Sequence, residues 1–169
     1  MQDDIAQLMV SCIPRLRRYA RALAGDRSGA DDLVQDTMER GWSKLSSWRA
    51  GSDMRAWLFG IMHNLHIDQV RKPTLAMVEL DDDTPVPLVN ATQTHRLEIR
   101  DMQSALQTLP AELREVLLLV ALEEMSYEEV AVTLRIPLGT VMSRLSRARE
   151  RLRAHMEGRA ITSPLKVVK

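Results

Sequence analysis

Cysteine is almost missing from this chain: Cys12 is the single one among 169 residues. No intramolecular disulfide can staple the fold, and a lone thiol is expected to serve as a small buried apolar side chain. Long hydrophobic runs are missing too. No stretch approaches the roughly 20 apolar residues that cross a bilayer. The amino terminus, MQDDIAQLM, has neither the basic start nor the apolar core of a secretion signal. A reducing, cytoplasmic setting is therefore expected. Alternating apolar and polar residues are nearly absent, which excludes a sheet protein, and with it the βα alternation of a receiver domain. No Cys pair and no HExxH motif occurs. His63 and His66 could present two imidazoles on one helix face, but zinc needs more ligands than two. Neither a metal, nor another cofactor, nor a catalytic constellation, nor a small-molecule substrate is expected.

Net charge is the last absence: 23 Lys and Arg balance 23 Asp and Glu. The charges are nevertheless segregated. Between Arg135 and Arg159 lie seven arginines against Glu150 and Glu157, whereas Pro73 to His95 holds Glu79, Asp81, Asp82 and Asp83 and no Lys or Arg. A local basic patch, not the total charge, decides whether a chain displaces counterions from phosphate.

What remains is helix. Apolar residues recur every three to four positions through most of the chain, so the fold class is all-α. A first helix is expected over residues 4–24, interrupted at Pro14 and stopped at Gly25. A second spans 29–45, with Ser28 and Asp31 as a capping box. A third spans 54–71, burying Trp57, Leu58, Ile61, Met62 and Leu65 and ending at Lys72-Pro73. Residues 73–94, with three prolines and a triple aspartate, read as a flexible acidic linker. A second helical block runs over 95–158, with Met102, Ala105, Leu106 and Leu109 on one face. Pro110 then opens a helix that buries Leu113, Val116, Leu117 and Val120. Residues 159–169 form a tail. Two small helical domains, 1–72 and 95–158, result, each small enough to be marginal alone.

The most informative segment is Met125 to Leu152. Ser126 with Glu129 three positions on forms a capping box ahead of a short helix. Arg135-Ile136-Pro137 makes a tight turn, and proline suits the start of the next helix. That helix carries Leu138, Val141, Leu145, Ala148 and Leu152 as one apolar stripe, with Thr140, Ser143, Arg144, Arg147, Arg149, Arg151 and Arg153 off it. Helix, tight turn and arginine-studded helix is the layout of a helix-turn-helix that enters a DNA major groove. Arginine makes paired hydrogen bonds to guanine or phosphate. A plain amphipathic hairpin with a solvated face would share the periodicity.

Two blocks carry a resemblance. DDLVQDTMERGWSKL followed by RAWLFGIMHNLHIDQVRK resembles the second conserved region of bacterial sigma factors. LPAELREVLLLVALEEMSYEEVAVTLRIPLGTVMSRLSRARERLR resembles their fourth. Together they resemble the extracytoplasmic-function (ECF) sigma factors of the sigma-70 family, over residues 5–72 and 97–156. The resemblance implies a non-enzymatic subunit that binds core RNA polymerase and directs promoter-specific initiation. It implies a polymerase-binding helix at Asp32, Leu33, Val34, Gln35, Asp36, Met38, Glu39 and Trp42, with about half of the apolar members in the core. It implies that a melted −10 strand meets the loop Ser46, Ser47, Trp48 and Arg49 and the helix carrying His63, Asn64, Arg71 and Lys72. It implies that Thr140, Ser143, Arg144 and Arg147 face the −35 groove, with Arg135 and Arg149 on phosphate. His63 and Met142 stand where the family commonly has basic residues, which bears on the promoter sequence read. An anti-sigma factor, often anchored in the inner membrane, is the implied controlling partner and would hold the chain there. The rival readings are a helix-turn-helix regulator acting without core polymerase, and a metal enzyme.

Overall fold

The computed structural model describes residues 1–71 and 93–158. Lys72, the linker up to residue 92 and the tail from residue 159 lie outside the described residues. Eight α-helices follow in order among the described residues: α1 Gln2–Ser11, α2 Ile13–Ala24, α3 Arg27–Ser43, α4 Met54–Arg71, α5 Gln93–Thr108, α6 Ala111–Ala121, α7 Tyr127–Leu134 and α8 Leu138–Met156. A 3-10 turn at Leu45–Ser47 sits between α3 and α4.

Local chemistry sets most of the boundaries. The helix expected over 4–24 is two, because Pro14 has no N–H to donate and sits in the first turn of α2. Gly25, at φ 81°, closes α2 with its N–H on the Arg21 carbonyl. The cap of α3 is Asp26, not the expected Ser28: Asp26 is extended (φ −126°, ψ 151°) and accepts from the Gly29 N–H. Ser28 is already inside the helix, where it cannot serve as the half-in residue that a cap requires. The α7 capping box forms as expected, with the Glu129 N–H donating to Ser126 Oγ and the Ser126 N–H to Glu129 Oε2.

α1 to α4 form the first domain. Gly41 lets α3 approach its neighbours, since a Cβ there would stand 2.8 Å from Met9 Cε and 2.9 Å from Leu58 Cδ2. Tyr19 and Phe59 meet edge to face, ring centroids 4.8 Å apart, and link α2 to α4. On α4 the deep positions go to Met54, Leu58, Phe59 and Met62. Trp57, Ile61 and Leu65, expected in the core, are half-buried. α5 to α8 form the second domain, its core built from Ala105, Leu106, Leu113, Val116, Leu119, Val130, Val141 and Leu145. Met102 and Leu138, both expected inside, are 40% and 41% exposed. Each is the first residue of its apolar stripe, at the end away from the deep positions Ala105 and Val141. Val120 and Leu152 are half-buried.

The two domains pack against each other. α6 and α5 lie on α2, and α7 lies on α4. The buried apolar residues of both belong to one continuous cluster. Arg114 of α6 bolts the junction. Its guanidinium donates to the carbonyls of Leu106, Gln107 and Leu109 at the end of α5 and to Leu23 at the end of α2. One cation thereby satisfies carbonyls that two helix C-termini leave open.

Candidate nucleic-acid and partner interfaces

α3 packs between α2 and α4, so a stripe of Ala30, Leu33, Val34, Thr37 and Gly41 turns inward. Leu33 and Val34, expected on the partner-binding face, are 1% and 6% exposed and belong to the core. The opposite face presents Asp32, Gln35, Asp36, Glu39 and Trp42 to solvent, with Met38 half-buried. Gln35 Nε2 donates to Glu39 Oε1 one turn on. Trp42, 53% exposed, is a large apolar side chain on the same solvent-facing side of α3 as Asp32, Asp36 and Glu39. That is the make-up of an anchor for a basic partner.

The loop after α3 places Ser46, Ser47 and Arg49 at the surface and leaves Trp48 half-buried. Further along α4, Asn64 is exposed, and Arg71 is exposed at the helix end. His63 behaves differently. Its side chain is only 12% exposed, and Nδ1 meets Glu115 Oε1 of α6 at 2.5 Å. His66 has its pKa lowered, first by burial; the Glu115 carboxylate opposes the shift, and Arg114 and His63 add to it. Among the described residues no group of three His, Cys, Asp or Glu could hold a metal.

In the second domain the turn between α7 and α8 bends at Arg135, which adopts the left-handed conformation at φ 54°. Its N–H closes α7 on the carbonyls of Ala131 and Val132. Pro137 then precedes α8 in extended geometry, φ −60° and ψ 148°. α8 buries Val141, Leu145 and Ala148. Ser143, Arg147 and Arg149 are exposed; Thr140 and Arg144 flank them, half-buried. Met142 and Ser146 are exposed on the same side and were not among the expected groove residues. Outward pointing of three successive turns, visible in the helix period, is the signal that would have found them.

Ser47 and Asn64, expected at the −10 strand, and Arg135, expected on −35 phosphate, border the same cleft. Asn64, Ser47 and Trp57 of the first domain and Val132, Thr133 and Arg135 of the second line one cleft of about 430 Å³. Another group was missed altogether. Glu123, in the turn between α6 and α7, is 1% exposed. Its carboxylate faces Arg18 at 3.3 Å, Arg55 at 3.8 Å and Arg15 at 4.0 Å, all from the first domain. Nothing in local sequence separates this glutamate from its neighbour Glu124, because its partners lie far away in the chain.

Comparison with known proteins bears on the whole arrangement. Residues 9–63 match the family model described as the sigma2 domain of PhyR, and residues 99–152 match sigma-70, region 4. The chain is 36% identical over 155 residues to the ECF RNA polymerase sigma factor EcfG of Rhodopseudomonas palustris, covering 91% of this chain and 86% of that protein. Its fold superimposes on the sigma factor RpoE of Bartonella quintana, solved with the anti-sigma factor NepR. The TM-score is 0.73 at 31% identity, over 91% of this chain and 97% of that one. It also superimposes on CnrH, solved with the cytosolic domain of CnrY, at TM-score 0.70 and 28% identity, over 95% and 92%.

Proposed function

Because the chain belongs to the ECF sigma factors of RNA polymerase, the subunits that direct core polymerase to chosen promoters, we propose how its surfaces divide that task. The exposed face of α3, with Asp32, Gln35, Asp36, Glu39 and Trp42, docks on core polymerase, with Met38 at its margin. Leu33 and Val34 support that face from beneath. The −10 strand is held by Ser46, Ser47, Trp48 and Arg49 and by α4 through His63, Asn64 and Arg71, with Lys72 beyond the described end of α4. An extruded base costs a few kcal/mol to unstack, and a pocket of polar and aromatic groups offsets that cost. Asn64 supports the assignment, since it is exposed and its amide can both donate to and accept from a base edge.

α8 enters the −35 major groove. Ser143, Arg147, Thr140 and Arg144 meet the base edges, and Arg135 and Arg149 meet phosphate. The observation that carries this is the capped α7, the left-handed turn at Arg135 and the exposed Ser143 and Arg147 of α8, opposite its buried stripe, occurring together. The protein has no catalytic centre of its own and acts in the cytoplasm. No helix among the described residues is long and apolar enough to cross a membrane. An anti-sigma factor restrains it, a reading supported by the NepR complex of the Bartonella relative. The acidic linker, outside the described residues, tethers the domains.

Run-off transcription with core polymerase on a library of promoter fragments tests the assignment. The expected result is that the chain co-elutes with core polymerase and starts RNA at a defined set of sites. A chain that binds promoter DNA as a dimer and never joins core polymerase would return the reading to a stand-alone helix-turn-helix regulator.

A further inference from the structure

Met142, in the second turn of α8, is a large apolar side chain that stands 52% exposed. We propose that Met142 is a specificity-determining residue that reads the C5-methyl group of a thymine in the −35 element. The proposal rests on the placing of α8 in the major groove under Proposed function, and it adds a base to what that helix selects.

The first observation is what the fold does not ask of this residue. The buried stripe of α8 is Val141, Leu145 and Ala148, complete without Met142. No residue of α8 lines the cleft between the domains. A single exposed apolar side chain is ordinary on a protein surface, so its position must carry the argument.

The second observation is that position. Ser143 is exposed opposite the buried stripe. The helix period sets Met142 about 100° to one side of Ser143 and Arg147 about 40° to the other. Met142 therefore borders the outward face, near the front of the helix. The front residues of a groove-bound helix are the ones that reach base edges.

The third observation is the room around it. Gly139, three positions before, and Ser146, four positions after, are both exposed on the same side. A Cβ on Gly139 would meet nothing within 4 Å. Packing gives no reason for glycine there, and glycine lowers helix propensity. Bare backbone at that point lets another molecule approach closely. Between two small residues, Met142 is the tallest side chain of this strip. Leu138, one turn earlier and 41% exposed, gives it an apolar neighbour.

Chemistry then selects the target. A thioether has no charge for phosphate and no N–H for the guanine acceptors. The base edges of the major groove offer one apolar group, the thymine methyl. An unbranched, polarizable side chain moulds to such a group, and contact removes both surfaces from water.

The test uses the full chain with core polymerase. Promoter fragments randomised through the −35 element are selected for binding, and the selected element is rebuilt with deoxyuridine for each thymine in turn, on either strand. That change removes the methyl and leaves every hydrogen-bonding group. At one thymine the parent is expected to lose about three- to fivefold in promoter affinity, the scale of one buried methyl. Met142→Ala should be indifferent to deoxyuridine at that position, and Met142→Leu should still respond. Met142→Arg should also lose the response, and should steepen the salt dependence by about one phosphate contact. No loss at any thymine in the parent would overturn the proposal, whether or not the variants fold well. So would equal losses in the parent and Met142→Ala, or a selected element with no A·T pair. An unchanged salt dependence in Met142→Arg would place the residue away from DNA and overturn it too. If the parent enriches no −35 sequence at all, the placing of α8 has failed instead, and that is seen before any thymine is replaced.

Discussion

At the scale of single residues, position decides what identical side chains do. Arg147 and Arg149 are both exposed on α8, two positions apart. The helix period turns them by about 200°, so both cannot face the same groove edge. Arg147→Ala is expected to cost about 1–3 kcal/mol on the preferred promoter and to relax choice at one base pair, whereas Arg149→Ala should weaken all promoter variants alike. Competition binding across a set of single-base −35 variants separates the two patterns. Uniform loss for Arg147→Ala would remove it from the base-reading set.

His66 makes a second residue-scale prediction. Burial lowers its pKa below the usual 6.5, so the folded state takes up its proton less readily than the unfolded chain. The unfolded state then binds more protons once pH falls below about 6.5, and stability drops with it. His66→Gln removes that contribution. Its denaturant midpoint should lose less between pH 7 and pH 5.5 than that of the parent. Parallel midpoint curves would show that His66 does not titrate against folding.

At the scale of elements, caps and close approaches set stability. The α7 capping box satisfies two otherwise open N–H groups at the front of the helix-turn-helix. Ser126→Ala should cost about 1 kcal/mol of unfolding free energy, read as a lower urea midpoint at unchanged slope. Gly41 is a sharper case. It is helical with no positive φ, so an added methyl would raise helix propensity, yet it would press on Met9 and Leu58 at under 3 Å. Met9 ends in a flexible methyl, whereas Leu58 is fully buried. Gly41→Ala is expected to destabilise by about 1–3 kcal/mol as overpacking. A stabilised variant would mean that α1 and α4 yield freely.

At the scale of the whole molecule, the continuous core predicts cooperativity. Two independent domains of this size would melt separately, but here the buried cluster and the Arg114 bolt run through both. Calorimetry of the free chain is expected to show one transition, and Arg114→Ala to broaden or split it. Two resolved transitions in the parent chain would show that the domains hold together only weakly.

Legible in the sequence alone were the all-helical class, the Pro110 start of α6, the capping box and turn of the helix-turn-helix, and the two helical domains. Those features depend on side chains acting within a few positions of themselves, through caps, φ restrictions and a 3.6-residue period, so they are written locally. It missed the Asp26 cap because Ser28 offered an equally plausible local partner, and backbone geometry alone chose between them. Which surface groups stand free was settled by packing between distant elements. Arg18 and Arg144 are alike as sequence, but Arg18 clasps a glutamate 105 positions away, while Arg144 flanks an open helix face. Leu33 and Trp42 belong to one amphipathic helix, yet packing between α2 and α4 buries the first and leaves the second to a partner. Such pairings cost desolvation and chain entropy that only a folded neighbour can offset, and no local pattern records which neighbour will come.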